Sequence, residues 1–420
     1  MKFLKYSVAS IVGMIICTHS FADEIINDDF CSENFNIQAP LRHTQIIIDS
    51  ALISPESEGE AASSKNQFWR QRVINLMDAS KDSNRSKWAP REPVSISIAE
   101  ADGSGLKLVF SGCMPFYSQA ERKKLSSATS SFSKFIGTDW ERKHQKVISS
   151  FRSGAITAMK MAALDQSQPK KNSSFTKAGL GQAMARGFIA PEDASSRIII
   201  LTDLTKYSFD TTSVISARAA GKEQADNWGA DLGFSEVHLL GAGGSTENSD
   251  KEYLKALFLG AKGNIITMAG INGALPLKKT PVSSSLYRGL INFPTRTRKS
   301  GVELPISLRL TLDKSSKAIN SWVVVQRQQE ESVPLTGTLT CLDTCRFIDS
   351  GDFAQIWSDS PGGEPEYDGV PFGGMRDISF SITDGTLQGS ITDPTARIAG
   401  KGSKQGLDFK MELISQKDAS

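Results

Sequence analysis

Two short runs of branched apolar residues stand out in the first half of the chain. Gln45-Ile46-Ile47-Ile48-Asp49 and Arg197-Ile198-Ile199-Ile200-Leu201-Thr202-Asp203 are continuous rather than alternating, and each ends in a carboxylate. Runs of this kind predict strands buried on both faces, as in a parallel sheet covered by helices. Glu236–Leu240 and Asn264–Met268 predict two more strands. Helical periodicity lies between them. Trp69, Val73, Leu76 and Met77 fall at i, i+4, i+7 and i+8 within 64–79, and Val147, Phe151, Ala155 and Met159 recur every four residues within 139–165. Further helices are predicted over 176–189, 215–231 and 250–259. Val94, Ile96 and Ile98 alternate with serines, as Leu106, Leu108 and Phe110 do with other residues, and Asp102-Gly103-Ser104-Gly105 between them reads as a tight turn. Strands alternating with helices predict a doubly wound, Rossmann-like α/β domain over 41–290, with a mostly parallel sheet.

The pattern changes after residue 290. Residues 291–301, rich in Thr, Arg and Lys, read as a linker. From 302 to 420 only strands are predicted. Ile306, Leu308, Leu310 and Leu312 alternate strictly, and Thr383-Asp384-Gly385-Thr386 marks a hairpin. Six or more short strands with Gly/Asp turns predict an all-β sandwich or barrel. Residues 349–376 interrupt it with a long loop. Its acids (Asp349, Asp352, Asp359, Glu364, Glu366 and Asp368) are suited to calcium, and its aromatics (Trp357, Tyr367 and Phe372) to sugar rings; a plain solvated loop has the same composition.

The first 22 residues read as a secretory signal peptide. Lys2 and Lys5 precede an apolar stretch from Tyr6 to Cys17, and Ser20-Phe21-Ala22 places small residues for cleavage after Ala22. That predicts a periplasmic or secreted protein of a bacterial envelope, with no transmembrane segment after cleavage. The leader holds two bases and no acid, so the chain's 48 basic and 46 acidic residues become 46 of each once it is gone. A formally neutral chain lacks the footprint of a general nucleic-acid binder. Residues 23–40 read as an extended N-terminal arm. Four cysteines follow the leader, an even number that in an exported chain suggests two disulfides. Cys31–Cys113 with Cys341–Cys345 keeps each pair within one predicted domain; the Cys341-Leu-Asp-Thr-Cys345 spacing alone also suits half of a zinc site, but no partner pair accompanies it.

Three segments resemble the von Willebrand factor A (vWA) family. Ile46-Ile47-Ile48-Asp49-Ser50-Ala51-Leu52-Ile53-Ser54 is similar to the family's first strand, which ends in Asp-x-Ser-x-Ser. Thr176-Lys177-Ala178-Gly179 resembles its Thr-x-x-Gly segment, and Ile199-Ile200-Leu201-Thr202-Asp203 its strand ending in Leu-Thr-Asp. The resemblance covers about residues 40–272. It implies that these loops meet at the carboxyl ends of the parallel strands, where open α/β sheets place ligands. It also implies a metal-ion-dependent adhesion site, with Asp49, Thr176 and Asp203 as ligands to magnesium. The sequence departs from the motif where the family has its two serines: Ala51 and Ile53 cannot coordinate a metal. Asp49 and Asp203 can equally cap the loops that follow them, and Thr176 the start of a helix.

Catalytic patterns are sparse. Gly241-Ala242-Gly243-Gly244-Ser245 follows a strand, but it lacks both the G-x-G-x-x-G spacing and the Walker lysine. His43, His144 and His238 share no metal-ligand spacing. The expectation is a non-catalytic, exported protein that binds a protein partner through vWA-like loops. The alternative is a carbohydrate or cell-wall binder acting through its C-terminal β-domain.

Overall fold

The computed structural model describes residues 25–27, 29–32, 42–53, 60–78, 87–127, 139–163, 173–177, 179–191, 195–209, 213–241, 247–273, 275, 281–293, 302–326, 330–335, 337–341, 345–349, 377–383, 385–392 and 406–418. The leader and most of the 349–376 loop lie outside them. Among the described residues no helix is long and apolar enough to cross a membrane.

The first half is mixed α/β. Its strands are β1 (Ile25–Asn27), β2 (Arg42–Asp49), β3 (Pro93–Ala99), β4 (Leu106–Cys113), β5 (Ser173–Ser174), β6 (Ser195–Leu201), β7 (Tyr207–Ser208), β8 (Ser235–Leu240) and β9 (Gly263–Ala269). Its helices are α1 (Asp29–Ser32), α2 (Glu60–Met77), α3 (Gln119–Ser127), α4 (Asp139–Ala163), α5 (Gly179–Gly187), α6 (Val214–Trp228) and α7 (Asn248–Gly260). Seven strands form one sheet in the order β1-β4-β3-β2-β6-β8-β9, parallel everywhere except between β3 and β4. Each isoleucine run is buried because alternate residues face opposite layers. Ile46, Ile48, Ile199 and Leu201 pack against Trp69 and Val73 of α2 and Phe151 and Met159 of α4. Ile47, Ile198 and Ile200 pack on the other face against Leu180, Trp228, Leu257 and Phe258 of α5, α6 and α7.

At the amino ends of the central strands the apolar stripe gives way to a buried ion network. Glu92, fully buried, accepts from Arg42 Nε (2.9 Å) and Nη2 (2.8 Å), from Arg197 Nη2 (3.1 Å), from Ala89 N (2.7 Å) and from Thr44 Oγ1. Arg197 also lies over the Trp88 ring, 4.3 Å from its centroid. Burial opposes ionisation of Glu92, but the two guanidiniums and their hydrogen bonds win and hold its pKa at about 2.

The described part of the N-terminal arm is tied to the sheet. β1 adds a parallel strand beside β4, and Cys31 of α1 is bridged to Cys113 at the end of β4. Phe30 fills the space between them, 4.2 Å below the Arg91 guanidinium and edge-on to Tyr117.

The second half is one antiparallel sheet of nine strands: β10 (Ser283–Phe293), β11 (Val302–Leu312), β12 (Ser321–Gln326), β13 (Glu330–Leu335), β14 (Gly337–Cys341), β15 (Cys345–Asp349), β16 (Asp377–Thr383), β17 (Thr386–Thr392) and β18 (Gly406–Asp418), ordered β13-β12-β11-β10-β18-β17-β16-β15-β14. The sheet curls: Leu339 N of its last strand donates to Ser316 O, and Ala318 N to Gly337 O, bonding β14 to the β11–β12 connection. Leu308, Val323, Leu339, Phe380 and Met411 thereby share one core. Cys341 and Cys345 are directly opposed in the β14–β15 ladder, with side chains outside the described residues.

Ser283–Phe293, divided by the sequence reading between the α/β domain (41–290) and the linker (291–301), is a single strand of this sheet. Its inward positions are Ser285, Tyr287, Gly289 and Ile291, so the alternation is broken twice. Gly289 is required there, since a Cβ would stand 1.8 Å from Lys410 O of the neighbouring strand.

The two halves meet at the amino ends of β6, β8 and β9. Trp322, fully buried, packs with Ala256 and Leu259 of α7 and stands 5.2 Å from the Phe234 ring. Asn320 Nδ2 donates to Ser195 Oγ (2.8 Å) and its Oδ1 accepts from Trp322 Nε1 (3.0 Å). Phe234 holds a φ of 62°, rare for an aromatic residue, in the turn that delivers it to this contact.

Candidate functional site

The carboxyl ends of β2 and β6 lie side by side, with Ile48 opposite Leu201. Asp49 ends β2 and is fully buried. Its Oδ1 accepts from Ala51 N at 3.0 Å and caps the short 3-10 turn Ser50–Leu52. Its Oδ2 accepts from Thr202 Oγ1 at 2.6 Å. The Tyr207 hydroxyl donates to the same carboxylate, 3.0 Å from Oδ1 and 3.1 Å from Oδ2, and itself accepts from Leu180 N at 3.1 Å. One carboxylate therefore ties together the loops after β2 and β6 and the start of α5. Burial lifts the pKa of Asp49 to about 6, against the pull of its hydrogen bonds from Thr202, Ala51 and Tyr207. Burial and the nearby Asp49 charge push Tyr207 well above the ordinary phenol range, so its hydroxyl keeps its proton for donation.

Two glycines make this fit possible. Gly179 opens α5 at φ 55°, and a Cβ there would stand 2.8 Å from the Tyr207 hydroxyl. Gly241 follows β8 at φ 117°, and a Cβ would stand 1.7 Å from Thr202 O. Thr202 N in turn donates to Leu240 O at 2.9 Å, fixing the threonine that holds Asp49.

Thr176 is buried in the turn that precedes α5, three residues before the first helical residue, so it does not cap that helix. The pairing of β5 with β7 sets Ser173 opposite Tyr207 and brings the Thr176 segment to the same end of the sheet. Asp203 is half-buried and turned to its own loop, where Oδ1 accepts from Thr205 N (3.2 Å) and Thr205 Oγ1 (2.5 Å). Its charge is close enough to raise the pKa of Asp49 further. Ala51 is half-buried, and Ile53 is packed into the main core beside Trp69. Among the described residues no group of three or more His, Cys, Asp or Glu could hold a metal ion.

The histidines are dispersed. His43 is half-buried on β2, and burial lowers its pKa. His144 is buried in α4, its Nε2 2.8 Å from Pro115 O. His238 is buried in β8, its Nδ1 3.1 Å from Thr267 Oγ1; burial, with Arg197 and Arg42 nearby, lowers its pKa to about 3.

Sequence reasoning missed two features. Tyr207 lies four residues after Asp203 in a segment with no motif, and its partner is 158 residues away. Glu92 stands in an unpatterned segment before β3, and only the fold shows that Arg42 and Arg197 converge on it. The presence of an arginine shortly before each isoleucine run was the available signal.

No family model and no curated protein matches the chain. Among solved structures it is similar to one described as von Willebrand factor type A from Catenulispora acidiphila, at 8% identity and a TM-score of 0.25, over 91% of this chain. The chain spans 66% of that structure's length.

Proposed function

We propose that the chain is an exported, non-catalytic interaction protein. Its first half is a vWA-like module whose carboxyl-end loops engage a protein partner, and its second half is a β-barrel that supports the module from the opposite end of the sheet. The observation that carries this reading is the Asp49 carboxylate, whose two oxygens are occupied by Ala51, Thr202 and Tyr207. Protein donors there do the positioning that an adhesion-type metal would otherwise do, so the loops are preorganised without magnesium. These bonds and the full burial of Asp49 disfavour a role for it as an acid, base or nucleophile. Trp322 and Asn320 dock the second half at the amino ends, the end of the sheet opposite the Asp49 loops.

A photo-crosslinking amino acid placed at exposed Lys177 or Thr205, on these loops, should form a discrete adduct with one envelope protein. The same probe at exposed Ile189, whose carbonyl accepts from Gln45 near the start of β2, should not. Equal adducts from both ends of the sheet would sink the assignment of the binding face.

A further inference from the structure

Charge is segregated on one side of the α/β half. In α3, Arg122, Lys123 and Lys124 are all exposed, while the helix's one acid, Glu121, is turned inward and paired with Arg91 at 2.8 Å. α4 has its acids, Asp139 and Glu141, in its first turn and none after them over 22 further residues, where Arg142, Lys143, Lys146, Arg152 and Lys160 are exposed. The exposed residues between these bases are Gln145, Ser149, Ser150, Ser153 and Thr157. The helices adjoin, since Leu125 of α3 and Trp140 and Val147 of α4 pack on the same cluster around Phe30, Cys113 and Tyr117. A chain with 48 bases and 46 acids thus carries on these two helices, among the described side chains, one exposed acid, Glu141, against eight exposed bases.

We propose that this face is a docking surface for an anionic membrane, which it meets through lipid headgroup phosphates. From Arg142 to Lys160 the exposed bases extend about 27 Å along a single helix, an extended array of cations suited to a diffuse negative charge. The outward side of that stretch and of α3 presents no aromatic ring, so it offers no stacking platform for the bases of single-stranded nucleic acid. Phe151, Ala155 and Met159 of α4 are spent on the core, leaving Met161 as the exposed large apolar side chain among its described residues, so contact is mainly electrostatic. The basic end of α4 lies by Pro115, just beyond β4, which pairs Cys113 with Pro93 at the start of β3. From there α4 runs antiparallel to β4, with Phe151 5.2 Å from Phe110, so the basic residues lie along the flank of the sheet.

The test is co-sedimentation of the purified protein with vesicles of phosphatidylcholine alone or with roughly 30% phosphatidylglycerol, at about 50 and about 300 mM salt. The expected result is partitioning onto the anionic vesicles at least tenfold above the neutral ones, with an about tenfold loss at the higher salt. The variant Lys123→Glu/Lys124→Glu/Lys143→Glu/Lys146→Glu, with its circular dichroism unchanged, should fall to the neutral-vesicle level. A second variant that makes as many charge reversals in the β half, Arg288→Glu/Lys314→Glu/Lys317→Glu/Lys410→Glu, should bind as the parent does and exclude a general effect of net charge. No preference for anionic vesicles at low salt would overturn the proposal. So would retention of binding by the four-lysine variant, or equally tight binding to polyglutamate or to duplex DNA.

Discussion

Replacing Tyr207 by Phe removes one oxygen and keeps the ring, so the packing of Phe175 against it at 5.4 Å is preserved. Two interactions go. The hydroxyl donates to an ionised, buried carboxylate, a bond worth about 1.5–3 kcal/mol, and its loss leaves Leu180 N without its acceptor at a cost of about 1–3 kcal/mol. The expected destabilisation at pH 7.5 is about 3–4 kcal/mol, a sizeable share of the 5–15 kcal/mol typical of a folded domain. It depends on pH with a definite sign. Tyr207 stabilises the ionised form of Asp49, so in its absence the carboxyl pKa rises beyond about 6. The penalty is full above the variant's raised pKa, shrinks as pH falls from there to about 6 and is least below it, because a protonated Asp49 asks less of its donor. Urea unfolding at pH 7.5 and 5 measures the difference, and amide exchange reports the local event. A local loss of about 2 kcal/mol speeds exchange at Leu180 about 30-fold. A cost under about 0.5 kcal/mol with Leu180 protection unchanged would refute the claim that this hydroxyl locks the loops.

Other consequences are measurable in the same way. Glu92→Gln leaves two buried guanidiniums without their counter-charge and should cost about 3–5 kcal/mol at pH 7. Because Glu92 is held at about 2 against an ordinary 4.5, its contribution of about 3 kcal/mol is present above pH 4.5 and lost as pH falls through 2. The gap between parent and variant in urea unfolding should therefore narrow below pH 4.5; a pH-independent gap would contradict the network. Trp322→Ala should cost about 3–5 kcal/mol and make the two halves unfold in separate calorimetric transitions; a single transition at the parental temperature would mean the interface adds nothing. Serine at both Cys31 and Cys113 opens a crosslink between residues 82 apart and should cost about 2–5 kcal/mol in thermal unfolding. An unchanged melting temperature would show that Phe30 alone holds the arm.

Much of the first half was legible because the information is local. Three isoleucines in a row cannot face water on either side of a strand, so Ile46–Ile48 and Ile198–Ile200 announce a sheet covered on both faces, and the helices between them repeat at the helical period. The second sheet was legible where alternation is clean, as in β11, and hidden in β10, where Ser285 and Gly289 interrupt the inward row for the sake of a close strand contact. The Asp49 end of the sheet was legible in its position and not in its chemistry. The carboxylates at strand ends are visible, but what satisfies Asp49 is a hydroxyl from another segment, seated against a glycine with positive φ. Thr176 was expected at the start of a helix, and the chain needs Gly179 in that place to clear the Tyr207 hydroxyl. In the arm, three residues of strand carry no periodicity, and the pairing of Ile25–Asn27 with β4 is visible only in the fold.

The most direct test of the account is titration calorimetry of the purified protein with magnesium, manganese and calcium at pH 7.5, beside Asp49→Ala. The account expects no saturable heat for any of the three ions up to millimolar concentration, and a melting temperature that chelator does not change. Saturable binding by the parent that disappears in Asp49→Ala would contradict it, and would mean that a cation displaces Tyr207 and Thr202 from the carboxylate.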